Sequence, residues 1–323
     1  MLGNLVVLVI LISLVALFGW LTYRAIRAKK MWVKIVGGIL GAVATLFFVA
    51  LTFAMGKGFT TMYMPPSALD ANLKVEGTPE QIARGKYLAN ISCVGCHDPE
   101  KTGALVGGFD MSAEIPIPLG TIVSRNLTPA GALSQYTDAE LFRVLRHGVG
   151  KDGALSGYMG FLSYRQLSDD DTKALIAYLR SLPPTPSKSN APQGTQMNAL
   201  ALLMIGAGMF PIPEPVTGVV TAPAAGQNAA YGKYVATFGE CRGCHGPQMT
   251  GAEPSAADPA GVPNARLFVA GLTREQFTQM MRTSKRPDGS ELKMPWESAA
   301  QMNDEDLGAL YEYLKAPAET ASK

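Results

Sequence analysis

Every cysteine of this 323-residue chain lies in one of two Cys-x-x-Cys-His motifs, Cys93-Val94-Gly95-Cys96-His97 and Cys241-Arg242-Gly243-Cys244-His245, which also hold two of its three histidines. Two thiols at that spacing add to the two vinyl groups of one porphyrin, and the next histidine falls beneath the ring, where its imidazole binds the iron. Two disulfides or an all-thiolate zinc site would also use four cysteines, but neither demands a histidine directly after the second cysteine in both copies. The motifs therefore imply two covalently bound haem c groups, attached through Cys93, Cys96, Cys241 and Cys244, with His97 and His245 as iron ligands. With all four sulfurs in thioethers, none remains for redox signalling or thiol catalysis. Attachment of this kind also implies assembly outside the cytoplasm.

The formal charge of +2 is unevenly distributed. Arg24, Arg27, Lys29, Lys30 and Lys34 form a cluster with no acid, which leaves 23 of the 28 basic residues against 26 acidic ones elsewhere. That mildly acidic remainder argues against nucleic acid as a partner. On either side of the cluster, Leu2 to Thr22 and Ile35 to Met55 carry no charged side chain, and each is about as long as a membrane-spanning helix. The pattern predicts a two-helix transmembrane hairpin over 1–57. Its basic loop would be cytoplasmic, with Trp20, Tyr23 and Trp32 near the interface and the remainder of the chain on the periplasmic side of the inner membrane. A cleaved signal peptide is the competing reading of Met31 to Gly56, but such a segment has no apolar run upstream of its basic start. Neither apolar run has an ionisable residue in its interior, so the hairpin reads as an anchor and docking element rather than a site of proton-coupled quinol chemistry. Gly37 and Gly41, a G-x-x-x-G pair, are either a packing face against a partner helix or a chance spacing.

After the hairpin the sequence repeats itself in order. Each unit opens with a helix carrying Gly-Lys-Tyr, at Gly85-Lys86-Tyr87 and Gly232-Lys233-Tyr234, that runs into its Cys-x-x-Cys-His motif. A middle helix follows, opened by a capping box at Thr137 to Glu140 and at Thr273 to Gln276. Ser168 and Asn303 then start closing helices with three acids in the first turn, and Pro183 and Pro317 lie beyond their ends. Between middle and closing helices each unit has an Asp-Gly turn and then a methionine, Met159 or Met294. A thioether on such a loop can meet the open side of the iron, which makes Met159 and Met294 the expected sixth ligands. Pro295 and Trp296 after Met294 suggest a rigid presenting loop.

His147 is a rival sixth ligand for the first haem. Thr283 stands at its place in the second unit, so a surface or propionate-side histidine is expected instead. Arg146 and Arg282 either pair with haem propionates or stand in solvent. A backbone carbonyl near Arg125-Asn126 and another near Pro263-Asn264 are expected to accept the N–H of the proximal histidines. The fold expected is all-α: the hairpin at 1–57, cytochrome c domains at 76–184 and 227–317, and a linker at 185–226. Within the linker, Asn198 to Phe210 is apolar but too short to span a membrane, leaving it to pack across the domain interface, against the bilayer, or between the haem units.

With these residues in view the chain resembles the multihaem cytochrome c subunits of membrane-bound alcohol, aldehyde and gluconate dehydrogenases. The resemblance rests on Gly120-Thr121-Ile122, Asn126-Leu127-Thr128-Pro129, Leu145-Arg146-His147-Gly148-Val149 and Tyr178-Leu179-Arg180-Ser181-Leu182, and extends over about 78–316. The chain departs from that family in having two haem motifs rather than three, and an apolar hairpin in place of a cleaved leader. The order of anchor and two haem units is also similar to the dihaem subunit of cbb-type haem-copper oxidases. Both resemblances imply a non-catalytic electron-transfer subunit of a respiratory or photosynthetic complex. Its partners would be quinol-oxidising, dehydrogenase or oxidase subunits, with a soluble cytochrome or copper protein as a further one. The alternatives from other classes are a dihaem peroxidase-like enzyme, in which His147 would matter, and a haem-based sensor, for which no signalling domain is visible.

Overall fold

The two charge-free runs form long helices, α1 (Leu2–Ile26) and α2 (Gly38–Tyr63), the second continuing from a single π-helical stretch at Val33–Gly37. The computed structural model describes residues 1–67, 70–210, 212, 215–254, 261–292, 294 and 296–318, without the side chains of Ser163, Trp296 and Ser298. Both helices are long and apolar enough to cross a membrane. They turn back on each other at the basic cluster and leave large apolar side chains such as Leu17, Leu46 and Phe53 exposed. Gly37 and Gly41 face α1 inside the hairpin rather than a partner helix. A Cβ on Gly37 would sit 3.2 Å from that of Ala25, and one on Gly41 would collide with Thr22.

The other end of the hairpin carries the two repeated units. Asn4 at the start of α1 donates to the Tyr63 hydroxyl (3.0 Å) and to the Met197 carbonyl (2.8 Å), and the Leu155 amide donates to the Met62 carbonyl at 2.8 Å. The units and the Arg27–Lys30 turn therefore lie at opposite ends of the hairpin.

Unit one contains α3 (Pro79–Ser92), the single turn α4 (Val94–His97), α5 (Asp138–His147) and α6 (Asp169–Ser181). After α7 (Ala199–Gly206), unit two repeats the order with α8 (Ala229–Phe238), α9 (Cys241–His245), α10 (Ala265–Ala270), α11 (Arg274–Thr283), α12 (Trp296–Ala299) and α13 (Asp304–Lys315). The capping boxes at Thr137 and Thr273 form as expected, and Ser168 and Asn303 cap their closing helices through the amides of Asp171 and Asp306. Opening and closing helices cross in backbone contact: a Cβ on Gly85 would overlap the Ala174 carbonyl, and one on Gly232 the Ala309 carbonyl. Leu88, Ala89 and Ile91 thereby pack in one core with Leu175, Ile176 and Leu179.

The chain is mostly helical, with one departure from the all-α expectation. Thr121, Ile122 and Val123 are β-branched and form a short strand, β1 (Gly120–Val123), antiparallel to β2 (Gly194–Met197), with Gly120 opposite Met197. The partner strand comes from the expected linker. Thr185 and Gln193 also bind back to unit one, through the Asn126 side chain to the Thr185 carbonyl (2.8 Å) and the Asn126 amide to the Gln193 side chain (2.6 Å). The segment Asn198–Phe210 is not between the two units; α7 lies against the end of α2 nearer to them.

The units join through exchanged side chains. The Tyr87 hydroxyl donates to Asp306 (2.5 Å) and accepts from the Asn303 amide; the Tyr234 hydroxyl donates to Asp171 (2.7 Å) and accepts from the Ser168 amide. Each Gly-Lys-Tyr tyrosine thus binds the start of the other unit's closing helix. Within unit one, Arg84 holds Asp171 in a two-pronged ion pair at 2.8 Å, beside that carboxylate's bond to Tyr234 of unit two.

Candidate haem sites

The α3 helix hands its last turn directly to α4, since the Cys93 amide still bonds the Ala89 carbonyl and the His97 amide bonds that of Cys93. In unit two, Glu240 in a left-handed conformation (φ 55°) separates α8 from α9. Both motifs end as one helical turn. Helical spacing of i, i+3 and i+4 puts the two cysteines and the histidine of each on the same face.

The carbonyls that the sequence left unnamed are those of Arg125 and Pro263. His97 Nδ1 lies 2.8 Å from the Arg125 oxygen and His245 Nδ1 lies 2.9 Å from that of Pro263. With Nδ1 as donor, each ring keeps its Nε2 lone pair for a metal. Two glycines that sequence reasoning passed over make this possible. Gly107 (φ 67°) and Gly251 (φ 87°) donate their amides to the His97 and His245 carbonyls. A side chain at either would collide with the loop bearing the accepting carbonyl, at Ser124–Arg125 or Val262–Asn264. Their signal in the sequence is a glycine soon after each motif.

All eight candidate residues, Cys93, Cys96, His97, Met159, Cys241, Cys244, His245 and Met294, line one continuous cavity of about 1430 Å³. Its other walls are largely apolar, including Leu127, Leu141 and Leu145 from unit one and Val269, Phe277 and Met280 from unit two. Burial pushes the Cys93 and Cys241 thiols up to about 12 and also raises that of Cys96. Burial likewise lowers the His97 pKa, against the opposing effect of its bond to Arg125. Neutral thiols and neutral imidazole in a greasy slot suit a porphyrin better than a hydrated ion. Among the described residues there is also no cluster of three or more His, Cys, Asp or Glu that would hold a bare metal. These residues fit haem c in both units.

The loops that carry the methionines are built alike. The middle helices end in left-handed Gly148 and Ser284, followed by antiparallel bridges Val149–Leu155 and Lys285–Glu291 around the Asp-Gly turns. Counted from these bridges, Met159 lies one residue further along than Met294, on a 3-10 turn at Gly157–Gly160. Pro295 and the Trp296 side chain lie outside the described residues.

His147 does not line the cavity. Its Nδ1 is buried without a hydrogen-bond partner, and burial, then Arg146, Arg165 and Arg143, lower its pKa. The arginines also differ from both expectations. Arg146, 2% exposed, donates to the Arg165 and Leu167 carbonyls (2.6 and 2.7 Å) and pairs with Asp169. Arg282 repeats this with the Ala300 carbonyl and Asp304. Each arginine clamps its middle helix to the start of its closing helix, away from the cavity. The arginines that do line it are Arg125, Arg165, Arg242 and Arg286. At Arg125 the cavity borders a polar recess of about 410 Å³ that also includes Lys151, Asp152 and Gln193.

Fold and seats together define two cytochrome c domains. Residues 82–183 match the cytochrome c family model, and 227–314 match that of cytochrome c oxidase, cbb3-type, subunit III. Among curated proteins the chain is similar to the alcohol dehydrogenase (quinone) cytochrome c subunit of Gluconacetobacter polyoxogenes, 32% identical over 59% of this chain and 40% of that one. It is also similar to the fructose dehydrogenase cytochrome subunit of Gluconobacter japonicus (28% identical, 75% and 54%) and the gluconate 2-dehydrogenase cytochrome c subunit of Pantoea cypripedii (32%, 52% and 38%). The chain spans 40% of the length of the first of these relatives and 54% of the second.

Proposed function

We propose that the chain is a membrane-anchored dihaem cytochrome c that carries single electrons on the periplasmic face as a subunit of a dehydrogenase complex. The observation that carries this reading is the single apolar cavity lined by both Cys-x-x-Cys-His motifs and both methionines. When bound, the two haem irons supply one-electron couples.

The chain's own residues do the rest. His97 and His245 are held by the Arg125 and Pro263 carbonyls, which fixes ring orientation and strengthens each imidazole as a ligand. Met159 and Met294, which line the same cavity, would hold the irons through their thioethers, and such ligation would raise the potential over two-nitrogen ligation and keep small oxidants off the iron. Arg125 and Lys151 supply positive charge at the polar recess and would pair with porphyrin carboxylates that reached it. The reciprocal tyrosine contacts hold the two seats in one body. His147 lies outside the cavity, which weighs against a peroxidase-like site that would use it.

The names of the relatives point to a dehydrogenase as electron donor, and the basic turn at the far end of the hairpin favours the periplasmic orientation. The match of unit two to a cbb3-type oxidase model favours a second reading, a terminal oxidase partner. Subunits that co-purify in mild detergent from the native host distinguish these.

The test of the sites is spectroscopic. Mature protein should weigh two haems more than the polypeptide. Met159→Ala and Met294→Ala should each abolish the methionine–iron charge-transfer signature of one haem and lower its potential. Unchanged spectra in either variant would remove that ligand, and an apo-protein mass would end the whole reading.

A further inference from the structure

Helix α7 runs antiparallel to α2 with backbones in contact: the Leu202 carbonyl sits where a Cβ of Gly58 would be, and the Ala54 carbonyl where one of Gly206 would be. Lys57 is the first charged residue on α2 after Lys34. From Leu202 to Gly206 the helix therefore passes the level of Lys57 and enters the charge-free part of the hairpin, descending about 6 Å at 1.5 Å per residue. Phe210 packs against the apolar cluster that holds Met55, Leu202 and Ile205.

The outward side of this segment is apolar and uncovered. Leu200 is 42% and Met209 is 62% exposed, and no charged residue occurs between Lys188 and Glu214. This surface continues that of α2, where Phe53 is 74% exposed. The deep end of α7 is also closed internally. Gly208 (φ 79°) ends it, with the Met209 amide on the Met204 carbonyl and the Gly208 amide on that of Ile205, both at 3.0 Å. The Met204 and Ile205 carbonyls are thereby satisfied within the turn, as hydrocarbon surroundings require.

We propose that α7 and the turn Ala207–Phe210 form a third membrane-inserted element, a wedge among the acyl chains of the outer leaflet that enters beside α2 without crossing. At eight residues it is about 12 Å long, against a hydrocarbon core of about 30 Å. The inferred depth lies within the roughly 5–10 Å typical of interfacial helices. The wedge fixes how the haem units stand on the membrane, because its first residue follows β2 and its cap, Asn198, holds the Pro118 carbonyl at 2.7 Å. This inference rests on the hairpin being the anchor.

The test uses the full-length haem-loaded protein in phosphatidylcholine nanodiscs. The native cysteines are taken up by haem, so a nitroxide can be placed singly through Met209→Cys, with Phe53→Cys as the lipid control and Val219→Cys, at an 81% exposed position, as the water control. Power saturation then compares collision with oxygen, concentrated in lipid, against a nickel chelate, confined to water. The oxygen-to-nickel ratio at 209 should match that at 53 and exceed that at 219 several-fold. A water-like ratio at 209 with a lipid-like one at 53 overturns the wedge and leaves the anchor standing. Protection from both probes at 209 means a protein partner covers the site and also overturns it. A water-like ratio at 53 itself removes the anchor reading.

Discussion

Tyr87 and Tyr234 occupy equivalent positions in their own units yet bind carboxylates of the opposite one. Burial, then interactions with Asp306 and Asp171 respectively, raises both phenols well above the ordinary value. Tyr231 beside them is pushed up to about 12, again by burial first and Asp306 second. A phenol whose pKa is higher folded than unfolded gives up its proton first in the unfolded chain as pH rises past 10. The stability these tyrosines contribute is thus complete below pH 10 and declines progressively above it, the Tyr231 share by about pH 12 and the Tyr87 and Tyr234 shares later still. Denaturation midpoints should therefore fall across that window, and the Tyr87→Phe, Tyr234→Phe double variant should fall less steeply. A pH-independent midpoint in the parent protein would show that the interface does not hold these hydroxyls. His147→Ala is a second residue-scale check: visible spectra and potentials of both haems should stay as they were, and conversion of one haem to high spin would restore His147 as a ligand.

At the scale of elements, the glycines of the two Gly-Lys-Tyr motifs explain why each opening helix crosses its closing helix so closely. Gly85→Ala or Gly232→Ala would force a methyl group into the Ala174 or Ala309 carbonyl, at a cost of about 1–3 kcal/mol or more. A lowered denaturant midpoint with an unchanged slope would register it; an unaltered midpoint would mean the helices part freely. Much of this layer was legible in the sequence. Capping boxes at Thr137 and Thr273, acid-rich first turns after Ser168 and Asn303, and both Cys-x-x-Cys-His turns are local chemistry, read within a few residues. What escaped was long-range. The strand at Gly120–Val123 is four residues long and its partner lies some seventy residues on, so no local period announces it. The roles of Arg146 and Arg282 depend on carbonyls about twenty residues away, which charge alone does not reveal. The apolar character of Asn198–Phe210 was plain, but hydrophobicity does not say which apolar surface it meets.

For the whole molecule, orientation is the property that matters. The haem units and the basic turn lie at opposite ends of the hairpin, so a protease confined to the periplasmic face should release a haem-bearing fragment beginning beyond about residue 57 and leave 24–34 intact. Cleavage within 24–34 from that side would reverse the topology. The amide of Leu155, four residues before Met159, is bonded to the carbonyl of Met62 in the last turn of α2. Anchor and methionine-bearing loop are thus tied by one backbone bond, so that any change in the tilt of the hairpin would pull first on the stretch of chain four residues from Met159.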